Sequence, residues 1–399
     1  MSESQLEYTN FLEESQPAFN LLPAVAIGGP PHSGKSVLAH SLDTALKQHE
    51  GMHYLLRAYP PDGEGNWFLE GDQEAMCDFR IKGATSEGWL PLLKRDIDRR
   101  QVPLLVDLGG NPTPEQETLL DGCTHAILLT PDEEARRVWT RRMEEHGLII
   151  LADLHSAQEG EGVLTTREPV LQGTLTGLER WGEVGGPAFE ALTERLTDLF
   201  SSASVDLRRR HLNSAPVELA VDLQRLAAHL GMNPRSWKPQ DLPAILDYLP
   251  PGCPLALYGA GPNWLYAAVA LQALPQAFYS FDPRCGWVEI PKLKIEASQP
   301  GGSLTFRQES TQNATVLMIE LPNRYLDYEE LTDVIFPQPQ GTEGGLILDG
   351  KLPLWLWTAL ARSYDARAPW LAVLQPQIGG AVVVASHVPG VRVGEVRGT

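Results

Sequence analysis

The chain has 399 residues, of which 43% are hydrophobic and 21% charged, the composition of a globular protein with two to three domains. Its net charge of −19 argues against a duplex nucleic-acid partner, although a small basic pocket for an anionic ligand is compatible with that total. The absence of a long apolar run argues against a membrane partner, and four cysteines without C-x-x-C spacing predict a cytoplasmic protein rather than a zinc or disulfide framework.

The first 200 residues have the pattern of an α/β domain. The polar, acidic residues 1–23 predict a solvated N-terminal arm rather than a secretory signal. From 24 to 200, short apolar runs alternate with amphipathic segments, which predicts βαβ units around a parallel sheet. The predicted strands are AVAIG (24–28), MHYLLRAY (52–59), PLLVDLGG (103–110), HAILLTP (125–131) and LIILADL (148–154).

The segment GPPHSGKS at 29–36 is a complete G-x-x-x-x-G-K-S P-loop, or Walker A, motif between a predicted strand and a predicted helix. Its glycines let the backbone surround phosphate oxygens, and the N–H groups of the loop and the helix N-terminus attract an anion. The motif predicts ATP and Mg²⁺ as ligands, with Lys35 at the β- and γ-phosphates and Ser36 on the metal. The predicted ATP-binding residues are Gly29, His32, Ser33, Gly34, Lys35 and Ser36.

Asp107 ends the apolar run LLVD and is predicted to share the Mg²⁺ with Ser36 and to act in catalysis. A hydrolytic AAA-type ATPase would place a second acidic residue directly after it. Here Leu108 follows, which favours a kinase-like P-loop domain.

Two further segments are candidate parts of this site. The helical stretch 133–147 resembles the arginine-bearing lid of small P-loop kinases, with Arg137 and Arg141 as lid candidates. Its flanking glutamates also fit a salt-bridged, solvated face. The long loop 59–72 is a candidate acceptor-binding loop; its polar and aromatic residues are Asp62, Glu64, Trp67 and Glu70.

A change of composition at 201–216 predicts a linker, followed by a helix over 217–231 that stops at Gly231. Residues 201–237 are therefore assigned to a linker helix. Two α+β units follow, at 238–295 and 296–399, joined by the Gly/Pro/Ser-rich segment 295–303.

These two units repeat one phrase 91 residues apart: AGPNWLYAAVAL begins at Ala260 and KLPLWLWTALAR at Lys351. The matching residues are Gly259, Pro262, Trp264 and Leu265 in the first unit and Gly350, Pro353, Trp355 and Leu356 in the second. FDPRCG (281–286) also matches LQPQIG (374–379). Matches in the same order predict an internal duplication.

Segments 305–331, 346–364 and 374–387 resemble the small, tetramerising CRISPR-associated ring nucleases of type III systems. The resemblance covers nearly all of 302–399 and, more loosely, 250–290. The chain as a whole is similar to fusions in which a P-loop domain precedes this module. The resemblance implies an α/β protein whose duplicated α+β ring-nuclease-like module binds cyclic oligoadenylate, in particular cyclic tetra-adenylate, as a homo-oligomer.

The family signature implies catalytic roles for Asp282 and Arg284, since it includes Tyr/Phe-Asp-Pro-Arg. The second copy has Gln375 and Gln377 there, and neither copy has the histidine that the family places near the end of the post-Trp helix. Asp282 could orient a 2′-hydroxyl or hold a metal such as Mn²⁺, and Arg284 could clamp a phosphate. The residues expected to bind the cyclic ligand are Trp264, Lys292, Arg362 and His387.

Together these features predict an enzyme that cleaves a cyclic oligoadenylate messenger under the control of ATP. Two other functions are compatible with the same residues. One is a kinase for a nucleotide or small molecule with a messenger-sensing module, and the other is a protein that binds the messenger without cleaving it.

Overall fold

The computed structural model describes residues 22–49, 52–58, 89–179, 182, 184–201, 204–297, 302–311, 313–321, 326, 328–341 and 344–398. The arm up to residue 21, the candidate acceptor loop 59–72 with its four named side chains, and 298–301 of the predicted joint lie outside this set. The chain divides into two compact units, Met1–Arg209 with Pro283–Cys285, and Arg210–Asp282 with Gly286–Thr399.

The first unit is built on a seven-stranded sheet, which confirms the mixed α/β prediction with a parallel sheet. The strand order is β2-β3-β1-β4-β5-β7-β6. All neighbours are parallel except β6, which pairs antiparallel with β7. The strands are β1 (Ala24–Gly28), β2 (Tyr54–Arg57), β3 (Leu104–Asp107), β4 (His125–Thr130), β5 (Ile149–Ser156), β6 (Val163–Thr166) and β7 (Leu171–Leu175).

Helices cover this sheet because its central strands are apolar on both faces. Every residue of β1 and β3 is buried, as expected for inner parallel strands. Leu38 and Leu42 of the first helix and Leu192 of the fifth share one core cluster with β1. The helices are α1 (Lys35–Leu46), α2 (Trp89–Asp98), α3 (Pro114–Glu117), α4 (Glu133–Glu145), α5 (Pro187–Ser201) and α6 (Ser204–Asn213), with a 3₁₀ turn at Thr118–Gly122.

The region 201–237 contains two helices and a strand. Helix α6 occupies most of 201–216. The predicted single helix over 217–231 is a strand, β8 (Ala220–Asp222), followed by the helix α7 (Leu223–His229). Strand pairing with the chain near residue 256 overrides the helical pattern, and the Asp222 carboxylate begins α7 by accepting from two backbone N–H groups.

The second unit contains two β-α-β-β units. In the first, a four-stranded sheet has the order β11-β10-β9-β8. Strands β8, β9 and β10 are parallel, and β11 returns antiparallel. Its elements are α8 (Leu242–Tyr248), β9 (Leu255–Tyr258), α9 (Asn263–Gln272), β10 (Phe278–Asp282) and β11 (Gly286–Glu289).

The other β-α-β-β unit has the same arrangement, with the order β13-β14-β16-β17-β18-β19. Strands β14, β16 and β17 are parallel and β18 returns antiparallel, as in the first sheet. The elements are β13 (Thr305–Ser310), β14 (Thr315–Glu320), β16 (Leu346–Gly350), α10 (Leu354–Tyr364), β17 (Trp370–Gln375), β18 (Gly380–Ser386) and β19 (Val396–Arg397). A small ladder pairs β12 (Lys294–Glu296) with β15 (Ile335–Pro337).

Helices α9 and α10 occupy equivalent places in the two sheets and pack against each other in one continuous core. Each begins after a proline in extended conformation, Pro262 in one and Pro353 in the other. Because proline fixes its own backbone angle and disfavours helix in the residue before it, both helices begin at a defined point.

Candidate functional site

The loop between β1 and α1 packs so closely against its neighbours that two of its positions require glycine. A Cβ at Gly29 would lie 2.1 Å from the Leu129 carbonyl oxygen, and one at Gly34 would lie 2.6 Å from the Leu178 Cβ. Gly34 also has φ of 87° and is the residue from which α1 begins. His32 takes a positive φ as well, and its side chain is exposed at the loop. A curved loop that ends at a helix N-terminus has the geometry of a phosphate-binding site.

Lys35 lies over this loop. Its side chain is buried, and the Nζ atom donates to the Pro30 carbonyl oxygen at 2.7 Å and to the Ser33 Oγ at 3.4 Å. Ser156 of β5 fixes the same loop by donating from Oγ to the Ser33 carbonyl oxygen at 2.9 Å. The ammonium group is therefore placed at the centre of the loop, and Ser36 follows it, half-buried, in the first turn of α1.

Asp107 lies beside the loop because of the strand register. Strand β3 is the direct neighbour of β1, and Asp107 is level with Ile27, just before the loop begins. Its carboxylate is fully buried, and Oδ2 accepts from Arg57 Nη1 at 3.3 Å. A buried carboxylate together with the Ser36 hydroxyl is an oxygen donor set suited to Mg²⁺, which usually takes one or two protein ligands and completes its shell with water and phosphate.

The α4 arginines divide into two groups. Arg136 binds Asp153 through Nε at 2.5 Å and Glu133 at 3.0 Å, and Arg142 binds Glu117 at 2.9 Å. The hydrogen bond with Asp153 raises the pKa of Arg136 most, and the hydrogen bond with Glu133 raises it further. These two side chains match the salt-bridged alternative rather than a lid.

The lid candidates Arg137 and Arg141 lie one turn apart on an exposed face of α4. Trp139 and Met143 are buried and pack on the opposite side of this helix, against Gly28. The structure therefore does not bring Arg137 and Arg141 to the phosphate-binding loop.

In the second unit, Asp282 ends β10 and is almost buried, at 8% exposure. Burial raises the pKa of the neighbouring Tyr266, and Tyr258 and Asp282 raise it further. The Tyr266 hydroxyl, which stays protonated, donates to the Gly259 carbonyl oxygen. Arg284 is half-buried in the turn between β10 and β11, and this turn, Pro283–Cys285, belongs to the first unit.

Two of the predicted ligand-binding residues serve the core instead. Trp264 is 2% exposed in α9, so its indole is not accessible for stacking on a base. Arg362 of α10 donates to the Ala270 carbonyl oxygen and to the Gln276 carbonyl oxygen, both at 2.6 Å. Burial lowers the pKa of Arg362. This arginine joins the two β-α-β-β units by binding the C-terminal end of α9, a structural role that the sequence did not predict.

The other two lie near strand ends. Lys292 is exposed, and the register of β10 and β11 places the chain that leads to it at the end of that sheet opposite Asp282. His387 follows the end of β18 that pairs with the start of β17, whereas Gln375 lies at the other end of β17. Strands of this length span about 16 Å, so Lys292 is distant from Asp282, and His387 is distant from Gln375.

Sequence reasoning missed two polar pairs that the tertiary structure assembles. Arg57 ends an apolar run, as Asp107 does. That shared position at the end of a predicted strand was the only sequence signal for their contact. His387, half-exposed, binds Asp365 with Nε2 and Oδ1 2.9 Å apart. No local pattern connects these residues, because a helix end and a strand end meet only in the folded sheet.

The two β-α-β-β units also differ in one residue at a strand end. Asp349 at the end of β16 occupies the place of Tyr258 at the end of β9. Burial raises the pKa of Asp349, and the nearby Glu320 raises it further, against the lowering effects of the Gly350 backbone and Lys351.

Within the described ranges, no group of three or more histidine, cysteine, aspartate or glutamate side chains is placed to hold a metal ion. No helix of the described part of the chain is long and apolar enough to cross a membrane.

Comparisons with known proteins give a match to a CRISPR-associated family in the C-terminal part of this α/β protein. Residues 319–397 match the model of the family Cas_csx3, described as a CRISPR-associated protein. The matched region begins in β14 and ends in β19, so it covers the second β-α-β-β unit.

Two individual matches are more limited. An uncharacterized protein of Aquifex aeolicus (strain VF5) is 41% identical over 51 residues, which is 13% of this chain and 45% of that protein. The solved structure titled "Crystal structure of APE1195" is 21% identical, covers 35% of this chain and 63% of that chain, and has a TM-score of 0.16. The chain thus spans about half to two thirds of these relatives, and the TM-score is too low to define a shared fold.

Proposed function

We propose that this CRISPR-associated protein binds ATP and Mg²⁺ in a kinase-like P-loop domain and binds and cleaves a cyclic oligoadenylate in its duplicated C-terminal module. ATP binding controls the second activity. The ATP part of the proposal depends above all on one observation, the glycine-lined loop with Lys35 at its centre and Asp107 at its side. The messenger part depends on the family match of residues 319–397.

The ATP site is supported by shape and by chemistry together. Glycine at positions 29 and 34 lets the loop pack against Leu129 and Leu178 and keep its curve, and the α1 N-terminus adds partial positive charge. Lys35 would then move its hydrogen bonds from the loop to phosphate oxygens. Ser36 and Asp107 would hold the Mg²⁺, whose charge stabilises the phosphate groups.

The strand order supports a kinase-like rather than a motor-like domain. The strand bearing Asp107 is adjacent to the strand that leads into the loop, and Leu108 after it is buried and apolar. A water-activating carboxylate is therefore absent from that position, which favours slow hydrolysis or phosphoryl transfer to an acceptor.

The second part of the proposal treats the two β-α-β-β units as an internal pseudo-dimer with two unequal halves. The matching order of four strands in the two sheets, the matching helix starts and the shared core support duplication. Asp282 and Arg284 are retained only in the first half. A ring-shaped messenger would therefore be cleaved in one half and bound by both.

The cleavage proposed here needs no external reactant. The 2′-oxygen of the ribose attacks the adjacent phosphorus, the new P–O2′ bond forms, the P–O5′ bond breaks, and the proton passes from the 2′-hydroxyl to the leaving oxygen. Asp282 would take up or orient that proton, and Arg284 would neutralise the phosphate.

Incubation with cyclic tetra-adenylate, with and without ATP, Mg²⁺ and Mn²⁺, followed by mass analysis of the products, tests both halves. We expect linear products, their loss in Asp282→Ala, and a change of rate on adding ATP that Lys35→Ala abolishes. Lys94→Ala, at a partly exposed lysine of the same unit that lies 4.0 Å from Asp121, is the matched control. An intact ring under all conditions would refute cleavage.

A second candidate function is a kinase whose C-terminal module only senses the messenger. It is favoured by three of the predicted ligand-binding residues. Trp264 is buried, Arg362 binds backbone carbonyl groups, and Lys292 lies at the end of the sheet opposite Asp282. Transfer of labelled phosphate from ATP to an acceptor, with the ring left intact, would support it. Tight binding of the ring without cleavage or phosphate transfer would instead indicate a protein that sequesters the messenger.

A further inference from the structure

Arg57 and Asp107 form an ion pair at the phosphate-binding loop. They are level with each other on neighbouring strands, at the ends of β2 and β3. Their closest atoms, Nη1 and Oδ2, are 3.3 Å apart. Asp107 is in turn level with Ile27 on β1, so the order across the sheet is Arg57, Asp107, then the strand that enters the loop.

The two partners differ in exposure. The Asp107 side chain is fully buried, whereas that of Arg57 is 18% exposed. A buried carboxylate needs a cation because removing it from water is costly. Arg57 supplies that charge from the more open side, so its guanidinium can change partners while Asp107 stays in place.

A bound Mg²⁺ would compete for the same carboxylate. Mg²⁺ prefers carboxylate and phosphate oxygens, and its charge satisfies Asp107 at least as well as a guanidinium does. The displaced guanidinium would lie next to a triphosphate. Its planar fork matches phosphate oxygens in a bidentate geometry that lysine cannot reproduce.

We propose that Arg57 selects for a nucleoside triphosphate. It neutralises Asp107 in the structure described here, and it binds the outermost phosphate once Mg²⁺ occupies Asp107. This inference rests on the proposed ATP site and adds to it a residue that tells ATP from ADP.

The test is calorimetric binding of a non-hydrolysable ATP analogue (AMP-PNP) and of ADP, each with Mg²⁺, to the full chain. Arg57→Gln removes the charge, and Arg57→Lys keeps the charge but loses the fork. Arg167→Gln is the matched control, since Arg167 is an exposed arginine of the same unit that pairs with Glu194. Thermal unfolding without nucleotide reports the folding of each variant.

We expect Arg57→Gln to weaken binding of the analogue about 10- to 100-fold, the range for a lost charged hydrogen bond, and to leave ADP binding within about twofold. Arg57→Lys should lose part of the preference for the analogue while remaining folded, so it carries the test if Arg57→Gln unfolds. Arg167→Gln should bind both nucleotides as the natural chain does.

Equal losses for both nucleotides, or no loss for either, would show that Arg57 only supports Asp107 and would overturn the inference while leaving the ATP site intact. Failure of the natural chain to bind either nucleotide would overturn the proposed ATP site itself, and the inference with it.

Discussion

The two β-α-β-β units of the C-terminal module agree in their buried residues and differ at the polar ends of their strands. Trp264 and Trp355 are both almost fully buried at matching positions of α9 and α10. At the strand ends, Tyr258 is matched by Asp349 and Asp282 by Gln375. Burial of apolar area is what holds the sheet and helix together, so those positions are constrained in both copies. The strand ends carry different chemical groups in the two copies, although Tyr258 is as buried as the tryptophans.

The difference between Asp282 and Gln375 predicts the largest effect. Asp282→Asn should slow cleavage of cyclic tetra-adenylate about 100- to 10,000-fold, because it removes the proposed proton acceptor. Gln375→Ala should leave the rate within about twofold. Single-turnover rates at saturating ligand measure both, and equal effects of the two substitutions would contradict the proposed inequality of the halves.

The shared tryptophans predict the next largest effect, on stability. Trp264→Ala and Trp355→Ala should each lower the free energy of unfolding by about 3–5 kcal/mol, since each leaves a cavity in the common core. Denaturant unfolding followed by circular dichroism measures this. A stable Trp264→Ala protein with weaker messenger binding would show instead that this indole contacts the ligand.

Arg362 makes the pseudo-dimer asymmetric, because the matching residue of the first unit is Leu271. Arg362→Met should destabilise the chain by about 1–3 kcal/mol, since two carbonyl groups lose a charged donor. The exposed Arg225, substituted in the same way, is the control and should change stability by less than about 0.5 kcal/mol. If Arg362→Met folds as stably as the natural chain and loses ligand affinity, the residue belongs to the binding site.

Asp349 predicts a smaller effect that depends on pH. Burial raises the pKa of Asp349 in the folded state. Below the unfolded pKa of about 3.9 the carboxyl group is protonated in both states, so it does not lower the free energy of unfolding there. As pH rises past that value, the unfolded chain ionises first and stability is lost until the folded group ionises too.

Asp349→Asn should therefore stabilise the chain more at pH 7 than at pH 3.5, relative to the natural chain. Unfolding curves at the two pH values measure that difference. Lys238→Gln, a change at an exposed residue of the same unit, should give a difference independent of pH. A constant difference for Asp349→Asn would contradict the raised pKa.

Much of the fold follows from the sequence. The apolar runs predicted all five of the first strands, because inner parallel strands are apolar on both faces and recognisable from a few residues. The missed strand β8 is three residues long within a helical pattern, and only its pairing with β9 makes it a strand. Strands β6 and β7 were not predicted, since their alternating, partly polar residues resemble a loop.

The two candidate sites also differ in how far the sequence alone could predict them. A phosphate-binding loop is defined by eight consecutive residues, so Gly29 to Ser36 could be recognised without knowing the fold. The messenger-binding set could not, because its members come from four elements whose separation depends on strand register.

The sequence by itself determined the loop at 29–36, the strand that carries Asp107, and the repeated Pro-x-Trp helix starts, since each depends on backbone preferences and burial within a short segment. Only the tertiary structure decided that Arg57 meets Asp107, that Arg362 binds the end of α9, and that His387 meets Asp365. Each of these contacts joins residues that are distant in the chain. They exist because parallel pairing brings strand ends level and because two similar helices pack on each other, and neither condition is encoded in any one segment.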